Sequence, residues 1–119
     1  MKIMTEKLIL EKIDNIAKIT INNPSANTWD LESLAGLEEI IEHLNQDDEI
    51  FSLVITGQGE KFFSAGADLK VFQEGGKDAA MEMSNAFSNA FDSLSKFRGV
   101  SIAAINGFAM GGGLECALA

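Results

Sequence analysis

The 119-residue chain holds one cysteine, one histidine, one proline and no tyrosine. With Cys116 alone, no internal disulfide is possible, and a reducing, cytoplasmic setting fits. A thiol nucleophile would need His43 as its base, but His43 stands beside Glu42 and Asn45 on a polar helix face. Cys116 is therefore expected to be inert core. No Cys/His cluster has ligand spacing, so no metal site is expected. No apolar run approaches bilayer length. Met1-Lys2-Ile3-Met4-Thr5 lacks the apolar core of a secretory signal. Positive charge is scarce as well: 9 Lys and Arg against 18 Asp and Glu leave a net −9. Nucleic acid, whose phosphates would be repelled, is not an expected partner, and neither is a membrane.

What is present reads as one folded domain without linker, repeat or low-complexity tract. The chain is 46% hydrophobic and 23% charged, ordinary values for a globular protein. Segments 8–13 and 16–22 predict a hairpin turned at Asp14-Asn15. Residues 22–27 form a loop with the only proline, Pro24. Residues 30–46 predict an amphipathic helix with Leu31, Leu34, Leu37, Ile41 and Leu44 on its stripe and Thr28 or Asp30 as cap. The apolar segment 50–56 predicts a parallel strand covered on both faces, and 100–105 a second buried strand. Between them, 77–97 predicts a long helix with Ala80, Phe87, Phe91 and Leu94 on one side, as core. Alternating strands and helices point to an α/β fold with right-handed crossovers.

Two small-residue runs carry the chemistry. Asn106-Gly107-Phe108-Ala109-Met110-Gly111-Gly112-Gly113-Leu114-Glu115 follows a strand and opens a helix. Glycine there lets backbone approach a ligand closely, and the first helical amides have no intrahelical acceptor. Glu115, three residues beyond Gly112, rises on the same face as that amide. A bare donor beside a carboxylate suits acid/base chemistry on a carbonyl, although an N-terminal glutamate can also simply complement the helix dipole. The second run, Phe62-Phe63-Ser64-Ala65-Gly66-Ala67-Asp68-Leu69-Lys70, again joins an extended segment to a helix, with Asp68 as N-cap. Two such turns, each offering an amide, are what an oxyanion hole needs. Gly57-Gln58-Gly59-Glu60-Lys61-Phe62 lacks the third glycine of a dinucleotide fingerprint, and no Lys-Ser/Thr follows Gly113 as a nucleotide P-loop requires.

Leu53-Val54-Ile55-Thr56-Gly57, Phe63-Ser64-Ala65-Gly66-Ala67-Asp68-Leu69 and the run from Ala103 through Glu115 together resemble the signature segments of the crotonase (enoyl-CoA hydratase/isomerase) superfamily, in its order and spacing. The resemblance implies a stacked ββα spiral. It implies a thioester oxyanion hole from the amides of Ala67 and Gly112, with Glu115 as one of two glutamates handling water and its proton. Coenzyme A, arriving as part of an acyl-CoA substrate rather than as a separate cofactor, would lie along Asn27, Ser64, Ala65, Gly66, Asp68 and Lys70, with Lys61 also near its phosphates. Trp29 and Met83 are read as core or as lining of an acyl pocket. The implied reaction adds water to a 2-enoyl-CoA to give a 3-hydroxyacyl-CoA, as in fatty-acid oxidation.

The resemblance also implies that the second glutamate, the rest of the core and the C-terminal trimerisation helices fall beyond the point matching Ala119. Residues 1–119 are accordingly expected to be the N-terminal part of one such domain, catalytically incomplete alone, within a homo-oligomer (trimer or hexamer). Isomerase, hydrolase or decarboxylase chemistry on the same scaffold, and a place at the start of a multifunctional fatty-acid oxidation subunit, stay open. So does a non-catalytic unit that folds by self-association.

Overall fold

Strands β1 (Leu8–Ile13) and β2 (Ile16–Ile21) pair antiparallel across the expected two-residue turn, where Asp14 takes φ 54°. The structure, a computed structural model, describes residues 5–119, with the side chains of 71–74 excepted. The sequence expectation for residues 1–4 lies outside the described residues.

Helix α1 (Leu31–Asn45) starts at Asp30 rather than Thr28. The Asp30 carboxylate accepts from Ser33 N at 2.9 Å, and Ser33 Oγ accepts from Asp30 N at 3.0 Å, so each satisfies a backbone donor of the other. Burial pushes the Asp30 carboxyl upward, but hydrogen bonds from Lys7 and Ser33 outweigh it and leave its pKa lowered. Leu34, Leu37, Ile40, Ile41 and Leu44 bury the helix's apolar stripe.

The chain then enters β3 (Ser52–Gly57) and β4 (Phe62–Ser64), followed by helix α2 (Leu69–Ser95). Asp68 caps α2 through Lys70 N, as expected. The helix is interrupted at Gly76, whose φ 64° and ψ −147° suit only glycine. The segment 77–97 is therefore the second half of a longer element. Strand β5 (Val100–Ala103), strand β6 (Phe108–Ala109) and helix α3 (Gly112–Leu118) complete the described chain.

The main sheet has the order β1-β2-β3-β5, parallel from β2 onward. Its inner face presents Ala17, Ile19, Ile21, Leu53 and Ile55 to a core shared with α1 and with Met83, Ala90, Phe91 and Leu94 of α2. The other face is open. Val100 and Ile102 are 62% and 50% exposed, and Val54 is half-buried. The expectations that 50–56 is covered on both sides and that 100–105 is a buried strand are thus corrected: among the described residues the helices pack on one face only, and β5 ends at Ala103 and is largely exposed. Strand β6 was not foreseen. It pairs in parallel with β4 as a second, two-stranded sheet, and two residues are too few to show a period.

Arg98 fastens the C-terminal end of α1 to the turn that follows. Its Nε donates to Asn45 O at 2.9 Å, and its Nη2 to Ile50 O at 2.8 Å and to Asp47 O. A cation at carbonyls left over by a helix end is favourable both as donor and against the dipole. Replacing Arg98 by Ala in the full-length protein carrying this chain is expected to lower stability by about 1–2 kcal/mol, read as a lower urea midpoint at unchanged slope.

Candidate active site

Two strand-to-helix turns meet because β4 and β6 run side by side. Phe62 pairs with Phe108 and Ser64 with Ala109, and Met110 N donates to Ser64 O at 3.0 Å. Beyond the pairing, Ala65-Gly66-Ala67 leads to α2 and Met110-Gly111 leads to α3. Glycine is demanded where the turns touch. Gly66 has φ 101°, and a Cβ on it would lie 3.0 Å from Gly112 N. A Cβ on Gly113 would lie 2.1 Å from Ser64 O, far inside contact distance.

Most amides around these turns are occupied. Ala65 N donates to Ala26 O, Gly66 N to Ser64 Oγ, Asp68 N to Trp29 O, Gly113 N to Met110 O and Glu115 N to Gly111 O. The amides of Ala67 and Gly112 are among those that have no acceptor among the described residues, together with those of Gly111 and Leu114. The sequence reading singled out the first two.

Both residues border one pocket of about 360 Å³, together with Glu115, Ser84, Phe87, Ser88 and Phe91. Glu115 is exposed on its wall and is the one carboxylate of that lining. Chemically, the arrangement offers two main-chain donors for a developing oxyanion, a carboxylate for a proton or a water molecule, and an aromatic wall. No group of three or more His, Cys, Asp or Glu that could hold a metal occurs among the described residues.

The other expected contacts are placed differently. Asn27 is buried, and its amide donates to Gln58 O and Phe62 O while accepting from Asn23 N. Ser64 is buried, with its hydroxyl used by Gly66 N. Both side chains build the turns instead of facing the pocket, because each satisfies a backbone group that would otherwise be buried unpaired. Ala65 and Gly66 contribute the first turn itself. Asp68 caps α2, and Lys70 is exposed beside it. Lys61 lies over the Phe62 ring, 5.5 Å from its centroid. Trp29 and Met83 are fully buried core. His43 is outside the pocket lining, 2.9 Å from Lys12 Nζ. Burial and Lys12 together lower its pKa.

Residues the sequence reading missed fall into two groups. Asn106 accepts from Gly57 N and donates to Gly59 O and Phe62 O, tying the 57–62 turn to β6. Ser84, Phe87, Ser88 and Phe91 line the pocket from α2, at i, i+3, i+4 and i+7. That spacing was visible, but for the phenylalanines it reads equally as core.

A family model described as enoyl-CoA hydratase/isomerase matches residues 11–119. Carnitinyl-CoA dehydratase of Salmonella enteritidis PT4 (strain P125109) is 40% identical over 116 residues, covering 98% of this chain and 44% of the relative. The solved structure of Pseudomonas aeruginosa DspI matches with a TM-score of 0.94 at 65% identity, over 96% of this chain and 47% of that one. That of an enoyl-CoA hydratase from Bacillus anthracis matches with a TM-score of 0.92 at 30% identity, over 95% and 45%. The chain thus has the α/β crotonase fold and spans less than half the length of the relatives it matches.

Cys116, next to Glu115, is buried, and loss of solvation pushes its thiol up to about 12. In the unfolded chain the thiol ionises near its ordinary value, so the native state loses stability as pH rises from about 9 to 12. At pH 8 the native thiolate is about 10³-fold rarer than in the unfolded chain. Ellman's reagent is therefore expected to react with Cys116 in urea but hardly at all with the native protein.

Proposed function

The chain belongs to the enoyl-CoA hydratase/isomerase family, and on that premise we propose that it supplies the oxyanion hole and one acid/base carboxylate of a hydratase acting on 2-enoyl-CoA thioesters. The observation that carries this proposal is the coincidence, at one pocket, of the two acceptor-free amides with Glu115.

In this mechanism the thioester oxygen accepts hydrogen bonds from Ala67 N and Gly112 N. Both donors are fixed before the substrate arrives, so they stabilise the enolate-like charge that grows as water attacks C3 without a reorganisation cost. Glu115 orients the water and takes one of its protons while the C3–O bond forms. A second acid, from outside these residues, delivers a proton to C2, and the product is a 3-hydroxyacyl-CoA. Removal of water from a hydroxyacyl-CoA follows the same path backwards, which agrees with a relative named for dehydration. Metal and further cofactor are not needed for these steps, coenzyme A being part of the substrate. The same proposal extends to a cytoplasmic homo-oligomer, with Ala65, Gly66, Asp68 and Lys70 bordering the coenzyme A moiety and Asn27 and Ser64 supporting them from beneath.

Glu115→Gln keeps the shape of the side chain and removes its basicity. In the full-length protein it is expected to slow hydration of crotonyl-CoA by about 10²–10⁴-fold, followed as loss of the enoyl-thioester absorbance. Near-normal turnover would remove Glu115 from the mechanism. Turnover of 3-enoyl but not 2-enoyl thioesters by the unaltered protein would assign it to isomerisation instead.

A further inference from the structure

The two amides are mechanically linked. Trp29 grips the first turn with its backbone: its N–H donates to Gly66 O at 2.7 Å and its carbonyl accepts from Asp68 N at 2.9 Å, bracketing Ala67. Its indole, wholly buried, meets Phe91 edge-to-face, with centroids 5.6 Å apart and planes at 78°. Phe91 meets Phe87 in turn, at 5.4 Å and 62°. The Phe87 ring then covers Gly112, and a Cβ there would come within 2.8 Å of the ring edge. One path of backbone and rings therefore runs from Ala67 to Gly112 around the pocket.

The details suit a spacer. Aromatic side chains are large and rigid, with interacting edges and faces that favour these tilted geometries. Packed interiors transmit displacement instead of absorbing it. The Trp29 Nε1–H has no acceptor among the described residues. A buried donor left unpaired is a cost, so this ring serves by its shape rather than by its polar group.

Resting on the hydratase reading above, we propose that Trp29, Phe91 and Phe87 are positioning residues that fix the separation of the Ala67 and Gly112 amides. They act through the amides, so they govern how strongly a bound thioester carbonyl is polarised.

The test is infrared difference spectroscopy of a ¹³C-labelled enoyl-CoA carbonyl bound to the full-length protein, with kcat and KM measured in parallel. In the unaltered protein the bound carbonyl stretch moves to lower frequency. Phe87→Leu, Phe91→Leu and Trp29→Leu are expected to lose most of that shift. Their kcat should fall about tenfold with little change in KM. Trp29→Phe, which keeps a ring and removes the unpaired N–H, is expected to retain the larger part of both. Phe87 is only half-buried, so its variant keeps the test open where substitution of the buried rings unfolds the protein. A folded Phe87→Leu protein with the full shift and unchanged kcat would overturn this inference alone. Absence of any shift in the unaltered protein would instead overturn the hydratase reading on which it rests.

Discussion

The contact on which the site depends is the one between two backbone turns, at Gly66 and at Gly112 and Gly113. A methyl group on Gly113 would collide with the Ser64 carbonyl, and one on Gly66 would crowd Gly112 N. Catalysis by fixed dipoles requires donors aimed at a single atom, and a displacement of about 1 Å can cost about 10²-fold in rate. Small residues here follow from that geometry. The glycines are where two main chains must come closer than any side chain allows.

Holding the turns in contact falls to groups on both sides. On the sheet side, Phe62 O receives one bond from Asn27 and one from Asn106, using both of its lone pairs. Each asparagine reaches further, to Gln58 O and to Gly59 O, so the loop before β4 is pinned at several points. On the helix side the aromatic path from Trp29 to Phe87 replaces polar bonds with packing. Polar ties specify direction, and rings specify distance. The turns need both, because a main-chain donor has no side-chain torsions with which to correct its own aim.

How much of this could be read from the sequence depends on how local each feature is. The Asp14-Asn15 hairpin, the α1 stripe, the Asp68 cap and the nearness of Ala67, Gly112 and Glu115 to one another were legible, since turn chemistry, 3.6-residue spacing and strand-glycine-helix punctuation lie within a few residues. The asparagine ties were not. They join Phe62 to residues 35 and 44 positions away in the chain, and nothing local marks an asparagine as spent on a distant carbonyl. For the same reason Asn27 and Ser64 were placed at the ligand when their side chains are consumed by the turns. An apolar strand such as Val100–Ala103 says that it could be buried on both faces, but the sequence around it does not say how many layers cover it. The phenylalanines of α2 were assigned to the core by period, whereas Phe87 and Phe91 are at once core and pocket wall.

The division of labour in the proposed mechanism also accounts for the breadth of the family's named reactions. Adding water to an enoyl thioester, removing it and shifting a double bond all pass through negative charge on the same oxygen. They differ in where protons are taken and given. On the proposed mechanism the charge-bearing part is built from main chain, which of all substitutions only proline would delete and which tolerates change around it so long as the two turns still touch. On the same proposed mechanism proton transfer is carried by side chains such as Glu115, which one substitution can alter. A scaffold that puts charge stabilisation in the backbone and proton traffic in side chains can therefore change its reaction while keeping its fold.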